Sequence, residues 1–284
     1  MTRIAYVNGD YVPIEEAKIS ILDRGFLFAD GVYEVTAVLD GKLADYPGHA
    51  KRLHRSLGEL QMDMPVSDDE LLAIHRELVK RNSVDQGGVY LQVTRGAADR
   101  DFVFPKGVKP SLVMFTQARE LIDVPAARTG YKVKSVPDIR WTRRDIKSVA
   151  LLAQVLAKQA AAADGCNEAW MVEDGGVVTE GGSSNAYIVK DGKIITRPVS
   201  NSILSGITRA SVLQLAKERD MEIEERTFAI EEAYEADEAF VTAASTFVMP
   251  VVEIDGRQVG GGQPGPAVRR LREIYIEHAR ATAI

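Results

Sequence analysis

Apolar and polar residues along this chain switch between two periods, short strand-like runs and longer helical stripes, punctuated by tight turns. Strand-like runs occur at Leu112–Thr116 and Tyr131–Val136. Five Asn-Gly or Asp-Gly pairs, Asn8-Gly9, Asp40-Gly41, Asp174-Gly175, Asp191-Gly192 and Asp255-Gly256, each lie between β-rich segments. Such pairs tolerate positive φ at both central positions, so they predict hairpins and antiparallel pairing in both halves. Helical periodicity predicts helices over 47–61, 67–82, 148–164, 206–219, 230–235 and 266–281. The helix at 67–82 opens with a capping box, Ser67 as N-cap and Glu70 three residues on. In the helix at 148–164, Val149, Leu152, Val155, Leu156 and Ala160 share one apolar stripe. The stretch 119–129, with Pro125 and mixed polarity, reads as a linker. The expected class is α+β: a domain over 1–118, that linker, and a second domain over 130–284. A doubly wound sheet would alternate strands with crossover helices instead.

Composition narrows the function. Hydrophobic residues make up 45% and charged residues 27%, and the net charge is −6. An acidic chain lacks the basic field of a nucleic-acid binder. No run reaches the roughly eighteen apolar residues of a membrane span, and the start lacks the apolar core of a signal peptide. Cys166 is the only cysteine, which fits a reducing cytoplasm and rules out a cysteine metal cluster. His49, His54, His75 and His278 form no helical zinc pair, so no metal is expected. Ser183 and Ser184 lie in Gly-Gly-Ser-Ser-Asn, which is not the Gly-x-Ser-x-Gly pattern of a nucleophile elbow. The run Gly260 to Gly265 has no following Gly-Lys-Ser/Thr and reads as a connection to the last helix.

Three segments can carry chemistry. Lys147 falls between a strand-like run and an apolar helix, with Ser148 as a candidate N-cap. Partial desolvation there would lower its pKa and supply a neutral amine; the bland alternative is a surface lysine at a helix start. Glu180 precedes Gly181-Gly182-Ser183-Ser184-Asn185 after a hairpin. A carboxylate beside a pyridine nitrogen keeps that nitrogen protonated, although an isolated glutamate before glycines is usually a solvated turn residue. In Leu204-Ser205-Gly206-Ile207-Thr208-Arg209 a loop enters a helix whose free N–H groups suit a phosphate, or are simply capped by Ser205.

Together these segments resemble the fold-type IV (class IV) pyridoxal-phosphate aminotransferases over essentially the whole chain, most closely the D-amino-acid aminotransferases. The shared motifs are Asp23-Arg24-Gly25-Phe26 through Asp30-Gly31-Val32-Tyr33-Glu34, His49-Ala50-Lys51-Arg52-Leu53, and Val93-Thr94-Arg95-Gly96. Asp145-Ile146-Lys147-Ser148, Glu180 to Asn185, Ser205 to Arg209, and Phe240-Val241-Thr242 running to Pro250 complete the set.

The resemblance implies that Lys147 forms the Schiff base with pyridoxal 5'-phosphate and shuttles the substrate proton, while Glu180 pairs with the ring nitrogen. It implies further that Arg52 and the backbone of Ile207 and Thr208 hold the phosphate, with Ser184, Asn185, Ala244 and Ser245 lining the cofactor. Tyr33, Arg100, Phe102 and Ala243 fall at substrate positions. Two departures stand out: Ala243 and Ala244 replace the usual hydroxyls, and Phe102 replaces a carboxylate-binding histidine beside Arg100, so the pocket should be more apolar. The expected reaction is ping-pong amino transfer between a D-amino acid and a 2-oxo acid by a cytoplasmic homodimer. Rivals on the same scaffold are an R-selective amine transaminase, a branched-chain L-amino-acid aminotransferase, aminodeoxychorismate lyase and a non-catalytic binding protein.

Overall fold

The computed structural model describes residues 2–284, which cluster into two compact units. The first unit runs to Glu120 and also takes in Ile146–Ala150 and Ala279–Ile284. It contains β1 (Ile4–Val7), β2 (Asp10–Pro13), α1 (Arg24–Phe28), β3 (Gly31–Leu39), β4 (Lys42–Leu43), α2 (Tyr46–Glu59), α3 (Asp68–Arg81), β5 (Gly87–Thr94) and β6 (Ser111–Ala118). Its strands form one sheet in the order β2-β1-β6-β5-β3-β4, antiparallel at every pairing. Alternation along β5 sends Val89, Leu91 and Val93 into a core shared with Leu53 and Leu57 of α2 and Leu71, Ile74 and Leu78 of α3. Tyr90 and Gln92 face the other way and are half-buried.

The second unit spans Leu121–Asp145 and Leu151–His278. It holds α4 (Pro125–Thr129), β7 (Tyr131–Pro137), α5 (Leu152–Ala163), β8 (Glu168–Val172), β9 (Val178–Gly181), β10 (Asn185–Lys190), β11 (Lys193–Thr196), α6 (Ile207–Lys217), β12 (Ile223–Glu225), α7 (Ile230–Tyr234), β13 (Glu238–Ala243), β14 (Phe247–Ile254), β15 (Arg257–Gln258) and most of α8 (Pro266–Thr282). The sheet order is β12-β11-β10-β13-β14-β7-β8-β9, with β15 on β14. β7 and β8 run parallel across α5, and β11 and β12 run parallel across α6. Parallel neighbours need a crossover of this length, whereas the two-residue turns can join only antiparallel ones.

The turn chemistry is as expected. Asn8-Gly9, Asp40-Gly41, Asp191-Gly192 and Asp255-Gly256 all have positive φ at both residues and close hairpins. At Asp174-Gly175 the positive φ falls on Gly175 and Gly176 instead, within a longer β8–β9 connection. Ser67 Oγ accepts from the Glu70 amide at 3.3 Å, completing the predicted cap of α3. The connection before α8 contains the glycine run, and Glu238 caps that helix through the amides of Ala267 and Val268.

Two expectations about the helix after Lys147 are corrected. It begins at Leu152, and Ser148 does not cap it; the N-cap position is Leu151, without a side-chain bond. The backbone of 147–149 is engaged elsewhere: Tyr33 N–H donates to Lys147 O at 3.0 Å and Val149 N–H to Gly31 O at 3.0 Å. Residues paired in this extended way along β3 cannot also wind a helix, and the lysine segment therefore belongs to the first unit. The apolar stripe also faces outward. Leu152, Val155 and Leu156 are 72%, 58% and 52% exposed, while Ala157 and Ala161 pack beside Ala169 and Met171 of β8. Alanine lets helix and sheet approach closely, so the bulkier side chains point away.

Candidate active site

In the first unit the chemistry is built on β3. Val32, Glu34, Thr36 and Val38 point to the buried side of the strand, which puts a carboxylate where only a paired one is tolerable. Its partners come from one face of α2: Arg52 Nε and Nη2 bind the two carboxylate oxygens at 2.7 and 2.8 Å, and His49 Nδ1 approaches at 2.8 Å. Burial would raise the Glu34 carboxyl, but Arg52 and His49 outweigh it and hold the pKa at about 2. Arg52 thus keeps a bidentate grip on Glu34 within the helix–sheet interface.

Lys147 is half-buried on the segment laid along β3, between buried Ile146 and Ser148. Its amide is 3.4 Å from Ser56 Oγ. The ammonium nitrogen stands 4.2 Å from the centre of the Tyr33 ring, and Tyr33 stacks on Tyr90, which stacks on Phe115. The expected lysine and tyrosine are therefore together, fixed by backbone bonds on both sides. Arg100 and Phe102 lie on the exposed loop between β5 and β6. The carboxylate of Asp101 accepts from the Val103 amide at 3.3 Å.

The second unit carries Glu180 at the end of β9, fully enclosed. Arg140 Nη1, the Asn185 side-chain amide (2.9 Å) and the Leu204 backbone amide (3.2 Å to each oxygen) all donate to its carboxylate. Arg140 is itself clamped by Asp138, through Nε at 3.0 Å and Nη2 at 2.7 Å. Burial pushes the Glu180 carboxyl above its ordinary value, and Arg140 with the Leu204 amide offsets only part of the rise. Burial would lower the pKa of Arg140, yet Asp138 and Glu180 hold it above its ordinary value.

Asn185 also donates to Leu204 O at 3.0 Å, tying Glu180 to the loop that enters α6. Gly206 is the N-cap of α6 and makes no side-chain cap; a Cβ there would come within 2.0 Å of Asn185 Oδ1. The first amides of α6, those of Ile207 and Thr208, are orphan donors by helix geometry. Thr208 Oγ1 is buried with no hydrogen-bond partner. Unsatisfied donors at a helix N-terminus suit a phosphate, and a buried carboxylate suits a protonated ring nitrogen, so these residues fit pyridoxal phosphate. Ser184 is engaged differently, donating to Glu168 at 3.1 Å.

Ala243, Ala244 and Ser245 form the half-buried β13–β14 turn. The turn closes on Phe247, which has a positive φ of 59° and is buried. Arg272 holds it from α8, donating to Thr246 O at 2.9 Å and Val248 O at 2.8 Å. The alanines leave backbone groups where hydroxyls were expected.

Five residues that shape the site escaped the sequence reading: Glu34, His49, Asp138, Arg140 and Arg272. Glu34 and His49 lay inside quoted motifs. Their signal was readable, since a glutamate at a core-facing strand position demands a cation, and His49 and Arg52 share a helix face. Asp138 lies two residues before Arg140, but the Glu180 carboxylate that Arg140 serves is distant in sequence, as are the acceptors of Arg272.

Comparison with known proteins gives a consistent result. A family model described as amino-transferase class IV matches residues 31–254. The chain is 44% identical over 281 residues to a D-alanine aminotransferase of Staphylococcus haemolyticus, covering 98% of each chain. It is 40% identical over 285 residues to the D-alanine aminotransferase of Staphylococcus epidermidis, covering 100% of each. Among solved structures, the T.th. branched-chain amino acid aminotransferase complexed with N-(5'-phosphopyridoxyl)-L-glutamate is similar, with a TM-score of 0.91. Identity there is 29%, covering 99% of this chain and 95% of that one.

Proposed function

The chain belongs to the class IV aminotransferases, which depend on pyridoxal phosphate, and on that premise we propose that it transfers an amino group between a D-amino acid and a 2-oxo acid. The observation that carries the reading is Lys147, fastened by backbone bonds along β3 with its amine over Tyr33. Likeness to D-alanine aminotransferases at 40–44% identity over the full chain favours D-amino acids. The branched-chain enzyme is a more distant relative, at 29%.

Bound pyridoxal phosphate supplies an aldehyde that takes up the amino group and a protonated ring that receives the electron pair left at the substrate α-carbon. Lys147 Nζ would hold the cofactor at rest and, once displaced by the substrate amine, would accept and carry the proton of the substrate α-carbon. Glu180 keeps the proton on the ring nitrogen, and Arg140, Asn185 and Leu204 keep Glu180 in place. The amides of Ile207 and Thr208, the Thr208 hydroxyl and Arg52 bind the phosphate, Arg52 being oriented by Glu34. Arg100 receives the α-carboxylate by a bidentate bond. Tyr33, Phe102 and the Ala243–Ser245 turn line the substrate, and Ser184 supports the segment through Glu168.

We also read the working enzyme as a homodimer, supported by the exposed apolar residues Leu152, Val155 and Leu156. Among the described residues no helix is long and apolar enough to cross a membrane; with Cys166 as the only thiol, a reducing cytoplasm suits the chain. Borohydride reduction of the holoenzyme, followed by peptide mass mapping, should find the cofactor's mass on Lys147. Its appearance on another lysine would refute the assignment.

A further inference from the structure

Histidine is absent where a second carboxylate ligand was expected, and the residues around Arg100 show what takes its place. Its guanidinium donates to no acceptor among the described residues. It lies instead against two aromatic rings, 5.1 Å from the centre of Phe28 and 5.4 Å from that of Phe102. The two rings contact each other, centres 5.3 Å apart at 51°.

We infer that Phe28 and Phe102 form an aromatic seat that orients Arg100 towards the substrate carboxylate. The inference rests on the D-amino-acid reading, in which Arg100 binds that carboxylate. A guanidinium is planar and weakly hydrated on its faces, while its N–H donors lie in the plane. Aromatic contact with the faces therefore restricts the side chain without consuming a donor. An imidazole at position 102 would add a donor of its own; a phenyl ring has none, so Phe102 acts through Arg100.

Both rings are themselves held. Phe28 closes α1, whose N-cap Asp23 accepts from Gly25 at 2.8 Å and from Thr94 and Ser111 at 2.9 and 2.8 Å. The buried Arg24 bonds Asp30 at 2.8 Å and reaches the carbonyls of Asp101 and Phe102. Its guanidinium also lies 4.7 Å from the Phe28 centre. Arg24 thus grips the backbone that carries one ring while contacting the other. Because Asp101 turns its carboxylate to the Val103 amide, it makes no ion pair that would draw Arg100 off the rings.

The test uses the holoenzyme with Phe28→Leu, Phe102→Leu, Phe28→Tyr and Arg100→Ala, each first checked for yellow absorbance and melting temperature. Two quantities are read: KM for D-alanine, and the inhibition constant of propionate, an unreactive carboxylate. Each leucine variant should raise both by about fivefold, in keeping with one aromatic–cation contact, with a smaller change in kcat. Phe28→Tyr, which keeps the ring face, should recover most of the loss. In the Arg100→Ala background Phe28→Leu should add nothing further. If both leucine variants leave KM and the inhibition constant unchanged while Arg100→Ala raises them, the seat is wrong and the carboxylate assignment stands. If Arg100→Ala also changes neither, the assignment itself fails and the seat goes with it. A fall in kcat alone would mark a merely structural role and overturn the inference.

Discussion

Replacing Arg140 with methionine removes the cation that holds two buried carboxylates together. The side chains of Asp138 and Glu180 are 0% and 5% exposed, and Arg140 bonds to both. Breaking a buried pair by deleting one partner costs about 3–5 kcal/mol, because a charge is left without compensation. For a chain of this size that corresponds to a fall in melting temperature of roughly 10 °C. The chemical consequence follows from the same residues. Burial already raises the Glu180 carboxyl and Arg140 opposes the rise; without it the pKa climbs further, and the protonated carboxyl persists to higher pH. A neutral carboxyl cannot hold a positive ring nitrogen, so kcat should fall roughly tenfold or more, equivalent to about 1.4 kcal/mol of barrier. The loss should ease as pH rises and the carboxylate reforms. Asp138 keeps Arg144 Nη1 at 3.3 Å and the Thr179 hydroxyl at 2.7 Å, so Glu180 is the carboxylate left without its cation. Melting curves and kcat from neutral to alkaline pH read both effects. An Arg140→Met enzyme with unchanged melting temperature and an unchanged pH profile would refute the reasoning.

Two further outcomes follow from other parts of the molecule. His75 is buried, and desolvation lowers its pKa from 6.5 to about 4; the unfolded chain therefore binds the extra proton first, so stability is full above about 6.5 and is lost as pH falls towards 4. The contribution is about 3 kcal/mol at most, and chemical denaturation of His75→Leu across that range should show a flatter pH dependence; an unaltered slope would assign the acid sensitivity elsewhere. Leu152→Glu with Val155→Glu places charges on the exposed face of α5, where burial of each native side chain is worth about 1.5–3 kcal/mol. If this face carries the proposed homodimer contact, sedimentation should show the dissociation constant weakened at least about a hundredfold; an undisturbed dimer would put the interface on another surface, and a native chain that sediments as a monomer would remove the proposal.

How much of this was legible in the chain depends on the distance over which each interaction acts. Turns and caps were readable because Asn8-Gly9 or Ser67 with Glu70 settle their own geometry locally. The helix after Lys147 was misplaced because its first residues are claimed by Gly31 and Tyr33, far earlier in the chain. Periodicity found the apolar stripe of α5 but could not say which side meets the sheet; small alanines won the contact and sent Leu152 outward. At the site, the family motifs pointed to Lys147, Glu180 and Thr208 as candidates, whereas the bond of Arg140 to Glu180 and that of Arg272 to the β13–β14 turn emerge only when segments separated in sequence become neighbours. Phe102 was noticed as a missing histidine, but its relation to Phe28 depends on the loop's path over α1.

The central claim is that Lys147 serves amino transfer from a D-amino acid, and single-turnover spectroscopy of the holoenzyme tests it most directly. Mixed with D-alanine in the absence of an oxo acid, the yellow enzyme should bleach to its pyridoxamine phosphate form and release pyruvate, while L-alanine and L-leucine leave it yellow. Bleaching by L-leucine with none by D-alanine would contradict the account.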